Sequence, residues 1–322
     1  MKIATREEIQ KVLSLRDVIP LMREALVAQS RGECETPMPM HLYIGGKQAD
    51  KPGGGREVER GEVHIKSSYR DGGKNFVVKV VSGFPGTTAL NLPAADGMML
   101  LVSAETGAPV ALLCDGGDLT DARTAAVSAM IARELGREDV SLGILGSGVQ
   151  ARWQVRAHAE VLPLREVRVW GRSPERVRKC RDDIANLVPG IDIRIAASPA
   201  DVAHHSRLIV TTTAARAPLL SFEDVSRGTL ISAVGSDSPG KQELHPQILA
   251  NASLVLVDSR QQCERLGELQ HAPAAFDRAI EMGKFCDFHP AFDAGGIIVA
   301  DYTGLGVEDL FIAEDCYRKL AC

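Results

Sequence analysis

The residues of this chain best suited to chemistry lie in short stretches of small and charged residues that interrupt apolar runs. In Leu142–His158, "LGILGSGVQARWQVRAH", Gly146, Gly148 and Ala151 separate an apolar run from an amphipathic one. Such residues can serve a tight turn alone. They also suit a bulky anion brought close to the backbone. Gly146 permits a sharp turn, Gly148 admits a pyrophosphate, and Ala151 lets a helix pack closely on a strand. Ser147, Val149 and Gln150 complete that turn and the first turn of the following helix. The free N–H groups and partial positive charge of a helix start favour phosphates. Roughly 20 residues further on, NAD-binding chains place an acid on the ribose hydroxyls. Here "VWGRSPERVRK" offers Gly171, Arg172 and Ser173 instead. An arginine can pair with a 2′-phosphate and a serine can donate to it. The stretch favours NADP(H) and leaves NAD(H) open, with a solvated loop charge as the plain alternative for Arg172. In "VTTTAARAPLL", Thr211 and Thr212 stand where a cofactor crevice is lined. In "SAVGSDSPGKQELHP", Val234 and Gly235 open a turn-rich segment at the expected nicotinamide end.

These stretches need a scaffold. "VSLGILG", "EVRVWG", "IDIRIAA", "RLIVTTT", "TLISAVG" and "SLVLVD" are short, continuously apolar runs, several of them separated by helical stretches. Continuous apolarity suits strands buried on both faces of a parallel sheet, and alternation with helices implies right-handed crossovers. The expected fold is α/β: a doubly wound Rossmann sheet over 119–299, plus a discontinuous α+β domain over 1–118 completed by 300–322. Within the latter, 7–31 reads as helical, with Ser14 as a cap between two apolar groups. "EVHIKSSYR" and "FVVKVVSGF" read as strands, and "GMMLLVSAETGAPVALLCD" as a hairpin. Residues 45–61 read as an exposed Gly-rich loop. "LTDARTAAVSAMIARELG" reads as a helix capped by Thr120 and closed by Gly136.

The formal net charge of −5 and the scattered basic residues argue against a nucleic-acid partner. The charged N-terminus and the lack of a long apolar run give no sign of a membrane segment, and point to the cytoplasm. Seven cysteines at irregular spacing, with no CxxC pair, argue against a disulfide framework. Neither the cysteines nor the eight histidines form a metal-binding set.

Together, "LGSGVQA", "LTDARTAA" and "GSDSPGKQEL" resemble the ornithine cyclodeaminase/μ-crystallin family, and the resemblance spans nearly the whole chain. It implies a Rossmann domain, and a second domain that dimerises and binds substrate. It also implies action on amino acids or their imines with NAD(P)(H). By the same resemblance, Lys79 and Arg123 hold the substrate α-carboxylate, and Asp237 is the catalytic acid. Thr124 contacts the cofactor phosphates, and Asp301 and Thr303 run near the nicotinamide. Asp301 is the second candidate for the acid. The family's P-x-R pattern is broken: "TPMPMHLYI" places His41 where the arginine stands, and Lys66 in "GEVHIKSSYR" could replace its charge.

The residues agree with imine chemistry. A lysine in "FVVKVVS" is costly to bury without a partner, and Ala122, Ala125 and Ala126 around Arg123 suggest a close-packed face. Two cations on a carboxylate would orient an imine, and an aspartate at its nitrogen would stabilise the iminium or donate to it. The expected activity is reduction of an α-imino acid, or the reverse dehydrogenation of an amino acid, in a homodimer. A cyclodeaminase with bound NAD, or a crystallin-like binder without turnover, are the alternatives.

Overall fold

The computed structural model describes residues 1–45, 61–90 and 92–321. Apart from its end residues Gly45 and Gly61, the expected loop lies outside them. The described chain divides into two units. One comprises Met1–Ser14, Gly32–Thr120 and Leu305–Cys322; the other comprises Leu15–Arg31 and Asp121–Gly304.

The second unit is built on an eight-stranded parallel sheet. Its strand order is Asp192–Ile195, Glu166–Trp170, Ser141–Leu145, Leu208–Thr211, Leu230–Ala233, Ile298–Asp301, Leu254–Val257 and Ile280–Glu281. The central strands are buried along their whole length, as their continuous apolarity requires. Leu145, Ile209, Ile231, Val255 and Val299 form the middle of the core. The chain winds outward in both directions from Ser141–Leu145. This makes a topological switch point beside Leu208–Thr211, and a crevice opens there at the carboxyl ends of the strands. The fold is α/β with a doubly wound parallel sheet.

Three local readings differ from the sequence expectation. The helix expected over 7–31 is two helices, Arg6–Val12 and Leu15–Ser30. The first is closed by a Thr5/Glu8 capping box at its start and by an extended Leu13 at its end. The second belongs to the parallel-sheet unit. Its buried side, Val18, Ile19, Met22 and Leu26, packs against helix Met282–Phe288, and a Cβ on Gly283 would collide with the Leu26 carbonyl. The helix expected to be capped by Thr120 already begins at Asp118. The Asp115 carboxylate accepts from the Leu119 N–H at 2.9 Å, so Thr120 lies inside the first turn.

In the other unit, Asn75–Gly83 is flanked by Gly61–Arg70 and Ala95–Ser103, all antiparallel. Pro109–Leu113 extends the sheet, Lys2–Ala4 joins it in parallel, and Met40–Ile44 pairs with Gly61–Arg70. Cross-strand register sorts the side chains. Lys66, Lys79, Met99, Leu113 and Ala4 form one row on one face, and His41, His64 and Val81 lie beside it. The C-terminal helix Gly306–Leu320 covers this face. A Cβ on Gly306 would collide with the Ser67 carbonyl, and Asn75 bonds Glu314 at 3.0 Å. The opposite face presents Ile3, Met40, Leu42, Ile44 and Met98, all exposed.

Among the described residues, no helix is long and apolar enough to cross a membrane, and no cluster of His, Cys, Asp or Glu could hold a metal ion.

His158, on the helix Val149–Ala159 behind the glycine turn, makes stability depend on pH. It is fully buried, and its Nδ1 lies 2.8 Å from the Gln154 carbonyl, to which it donates in the neutral tautomer. Its Nε2 meets no partner among the described residues. Burial lowers its pKa from 6.5 to about 4. A depressed pKa gives stability that is full above pH 6.5 and drains away as pH falls toward 4. Asp301 works in the opposite sense: burial raises it to about 7, so its contribution is lost as pH rises through that value. A comparison of wild type with His158→Met cancels the other groups. Between pH 7.5 and pH 4 the stability difference should move by roughly 3 kcal/mol in the variant's favour. Urea melts at both pH values check this, and a constant difference would contradict it.

Candidate active site

The glycine turn closes the strand Ser141–Leu145. Gly146 has φ +133°, and a Cβ there would collide with Thr212 Oγ1, so no other residue fits without strain. Gly148 is different. It takes an ordinary extended conformation as the N-cap of Val149–Ala159, and a Cβ would meet nothing within 4 Å. The helix start has no side-chain cap, so its first N–H groups are left to a ligand. Arg152, one turn along, pins the turn: it donates to the carbonyls of Ser147 at 3.1 Å and Gly148 at 2.7 Å. Ala151 is fully buried. A strained glycine holds the turn, and an unstrained one leaves room over it. That combination fits a dinucleotide pyrophosphate.

The turn borders a cleft of about 820 Å³. Gly146, Ser147, Gly148, Arg172, Ser173 and Thr212 all line it, together with Trp170 and the segment from Thr213 to Leu219. Ser147 packs against Gly171, where a Cβ would lie 2.9 Å from its Oγ. Val149 is exposed at the helix start. The Gln150 side chain does not reach the cleft in this structure; it donates to Asp121 at 2.8 Å.

Two expected cofactor contacts turn away from the cleft. Thr211 is fully buried and donates to Glu243 at 2.5 Å. Asp301 is fully buried, and its carboxylate accepts from the N–H groups of Glu268 at 2.9 Å and Leu269 at 3.0 Å. A Cβ on Gly267 would lie 2.5 Å from that carboxylate. Asp301 therefore shapes the backbone at the sheet end, and its position does not suit proton transfer to a ligand.

Buried carboxylates do similar work along the whole carboxyl edge. Glu243 gathers the Thr213 N–H and hydroxyl at 2.6 and 2.7 Å and the Gly235 N–H at 2.9 Å. Burial holds its carboxyl above the ordinary range. Gly235 is required here, because a Cβ would lie 2.6 Å from Glu243 and collide with Thr213. Val234 beside it is buried. Glu268 accepts from the N–H of Glu243 at 2.7 Å, and burial beside Asp301 and Glu243 raises its pKa well above the usual range. Asp258 accepts from the N–H groups of Thr303 at 2.7 Å and Gly304 at 2.6 Å, and the Thr303 hydroxyl donates to it at 2.9 Å.

This framework positions Arg123. Gly304 has φ +73°, and a Cβ there would collide with the Arg123 guanidinium, so the arginine rests directly on backbone fixed by Asp258 and Gln262. Arg123 is only 4% exposed. Thr124, next on the helix Asp118–Glu134, is half-buried. Asp237 follows the strand Leu230–Ala233. Its side chain is 39% exposed and lies 2.6 Å from the Lys241 ammonium, and Ser238 donates to it at 3.2 Å.

In the antiparallel unit, His41, Lys66 and Lys79 share one sheet face. Lys79 is 1% exposed and forms an ion pair at 2.9 Å with Asp309 of the C-terminal helix, itself fully buried. Lys66 stands directly opposite Lys79 across the strand pair. His41 packs on His64 with ring centroids 4.2 Å apart. Arg152, Asp258, Gln262, Glu243, Glu268, Asp309 and His64 were not legible as site residues. Arg152 acts on carbonyls four and five residues before it, where its charge reads as an ordinary helix-surface group, and the others act through partners remote in sequence, so no local motif marks them.

Residues 1–321 match the model of the ornithine cyclodeaminase/mu-crystallin family. An uncharacterized cyclodeaminase of Sinorhizobium fredii is 34% identical, over 99% of this chain and 96% of its own. The structure of Thermococcus litoralis Delta(1)-pyrroline-2-carboxylate reductase in complex with NADH and L-proline aligns at 25% identity. Its TM-score is 0.86, covering 100% of this chain and 98% of that one. An archaeal alanine dehydrogenase dimer with bound NAD aligns at 26% identity and TM-score 0.86, over 100% and 96%. The match runs across both units, from the antiparallel sheet through the glycine turn to the C-terminal helix, and on that ground the chain belongs to the ornithine cyclodeaminase/mu-crystallin family.

Proposed function

We propose that the protein is an NAD(P)H-dependent oxidoreductase acting on the C–N bond of a small α-imino or α-amino acid, with NADP(H) preferred. The observation that carries the reading is Arg123. A permanent, planar cation is built, almost fully buried, on a glycine at the carboxyl end of the sheet that carries the dinucleotide turn. A planar guanidinium matches a carboxylate in both shape and charge. The similarity to a reductase bound to NADH and L-proline, and to an alanine dehydrogenase with NAD, supports the same class of substrate.

A bound reduced nicotinamide supplies the hydride. The chain's residues do the rest. Arg123 and Lys79 hold the α-carboxylate, with Lys66 and His41 standing in for the arginine of the family pattern. Asp237 carries or stabilises the proton at the imine nitrogen, where a cationic imine is the better hydride acceptor. Gly146, Ser147, Gly148 and Val149 seat the pyrophosphate, with Thr124 beside them, and Arg172 and Ser173 read the adenosine ribose. The screen that tests this follows absorbance at 340 nm with NADPH or NADH, using 2-keto acids plus ammonia or methylamine, and cyclic imines. Oxidation of the nucleotide with at least one imine is expected. Binding without turnover on any of them would leave a non-catalytic binder. Ammonia release from ornithine without net nucleotide change would indicate a cyclodeaminase.

Lys79→Ala should raise KM steeply and leave nucleotide affinity nearly unchanged. It also takes the ammonium away from the buried Asp309 carboxylate, and breaking a buried pair costs about 3–5 kcal/mol. Lys79→Ala/Asp309→Asn should therefore recover much of the thermal stability without recovering KM. Recovery of both would assign Lys79 to structure alone.

We further propose a homodimer formed through the antiparallel sheet. Its face opposite the C-terminal helix shows Met40 57% and Met98 44% exposed among the described residues, with Ile3, Leu42 and Ile44 on the same side. A contiguous apolar face of this kind marks an association surface. Light scattering should give twice the 34.6 kDa chain mass at micromolar concentration, and Leu42→Asp/Met98→Asp should halve it. A monomeric wild type would overturn the assignment.

A further inference from the structure

The cleft beside the glycine turn has a charge pattern that Arg172 alone does not account for. Among the described residues its lining includes three arginines, Arg172, Arg176 and Arg216, and no aspartate or glutamate. Two of them come from the wall after Glu166–Trp170: Arg172 in the turn, and Arg176 in the first turn of the helix Pro174–Leu187. Ser173 caps that helix by accepting from the Arg176 N–H at 3.4 Å, which leaves its hydroxyl hydrogen available to a ligand. Arg216 comes from another wall, the segment that follows Leu208–Thr211, where it opens the strand Arg216–Leu220.

Arg216 is exposed on the cleft wall, but it is tethered to backbone. Its Nη1 donates to the Pro239 carbonyl at 3.2 Å, and it packs so closely on Gly240 that a Cβ there would lie 3.2 Å from the same nitrogen. Gly240 has φ +74°, and its N–H is fixed by Gln270 at 2.9 Å. The arginine is thus held by backbone on one edge, its other N–H groups meet no acceptor among the described residues, and it lines the cleft from the side that does not carry Arg172. The ribose of an ordinary NAD needs an acid at this end of the cleft. Three arginines without an acid make a cradle for a phosphate monoester.

We propose that Arg216 and Arg176 are specificity-determining residues which, with Arg172 and Ser173, enclose the 2′-phosphate of NADP(H) from two walls. The inference rests on the dinucleotide and NADP(H) reading above and extends it to residues outside the glycine and ribose motifs. Because Arg216 also holds the Pro239–Gly240 turn, the loop that carries Asp237 is tied to the phosphate end of the cleft.

The test uses nucleotide fragments and calorimetry, without turnover. The full-length protein is titrated with 2′,5′-ADP and with 5′-AMP, as wild type and as Arg216→Ala, Arg176→Ala and Arg216→Lys. Wild type should bind 2′,5′-ADP at least about tenfold more tightly than 5′-AMP. Arg216→Ala and Arg176→Ala should each lose about tenfold or more for 2′,5′-ADP and little for 5′-AMP. Arg216→Lys should recover only part of the loss, because a point charge does not reproduce a planar fork. Equal losses for both fragments would assign Arg216 to adenine or the 5′-phosphate and overturn the proposal, as would no loss for either. A wild type that binds both fragments equally would overturn the NADP(H) preference itself. A wild type that prefers 2′,5′-ADP, with neither substitution mattering, would overturn only the roles of Arg216 and Arg176.

Discussion

Asp237→Asn is expected to lower kcat by about 10²–10⁴-fold, the usual cost of losing a general acid–base group, while NADPH binding is retained. The expectation follows from position. Asp237 lies just past a central strand of the parallel sheet, at the carboxyl edge, and is exposed enough to meet a ligand. Its contacts with Lys241 and Ser238 fix one oxygen, Oδ1, and orient the group. Asparagine keeps the shape and one acceptor oxygen, so the turn should survive, but it cannot carry the proton or a full negative charge beside an iminium. Calorimetry with NADPH and a thermal melt verify that the variant is folded and loaded. If kcat stays close to wild type, Asp237 is only a turn ligand for Ser238 and Lys241. Asp301 could not take its place, because its carboxylate is sealed against the Glu268 and Leu269 N–H groups.

Gly148→Val should abolish dinucleotide binding and leave the fold intact. The two glycines of the turn separate the effects. At Gly148 the backbone is extended and a Cβ would meet nothing within 4 Å, so a valine fits the fold and, on the proposed reading, would collide with the pyrophosphate. At Gly146, φ of +133° and the contact with Thr212 make any side chain a folding defect. The melting temperature of Gly148→Val should therefore match wild type, and Gly146→Val should melt lower. Titration of Gly148→Val with NADPH and NADH should show no heat of binding. Wild-type affinity in that variant would remove the dinucleotide from this turn.

The parallel sheet was legible because its signals are local. The runs around Leu208–Thr211, Leu230–Ala233 and Leu254–Val257 are apolar at every position, and each became a strand buried on both faces. The glycine turn was legible for the same reason: a strand, a sharp bend and a helix start follow one another within a dozen residues. What escaped the sequence is held by distant partners. Nothing near Lys79 announces that Asp309 neutralises it 230 residues later. The carboxylates of Asp258, Glu243 and Glu268 bind backbone N–H groups on other loops, and a sequence shows such acids only as charges. Thr211 and Asp301 carried the right chemistry at the right strand ends, yet their side chains point into the framework. Arg216 lay within a segment read for its small and hydroxyl residues, and its value depends on Gly240 from another loop. The helix Leu15–Ser30 was read together with the one before it, because periodicity carries across the break when both halves bury apolar faces; Ser14, read as a cap between the two apolar groups, was the only local mark of that break.

Hydride delivery to the carbon that bears nitrogen is the core of the account, and labelled cofactor reads it directly. The protein would be incubated with NADPH carrying deuterium at both C4 positions of the nicotinamide and the best imine from the 340 nm screen. The amino-acid product would then be analysed by mass spectrometry and proton NMR. One deuterium at the α-carbon, in a single configuration, with one NADPH consumed per product, is the predicted result. Product without label at that carbon, or no amino-acid product while the cofactor is bound, would contradict it.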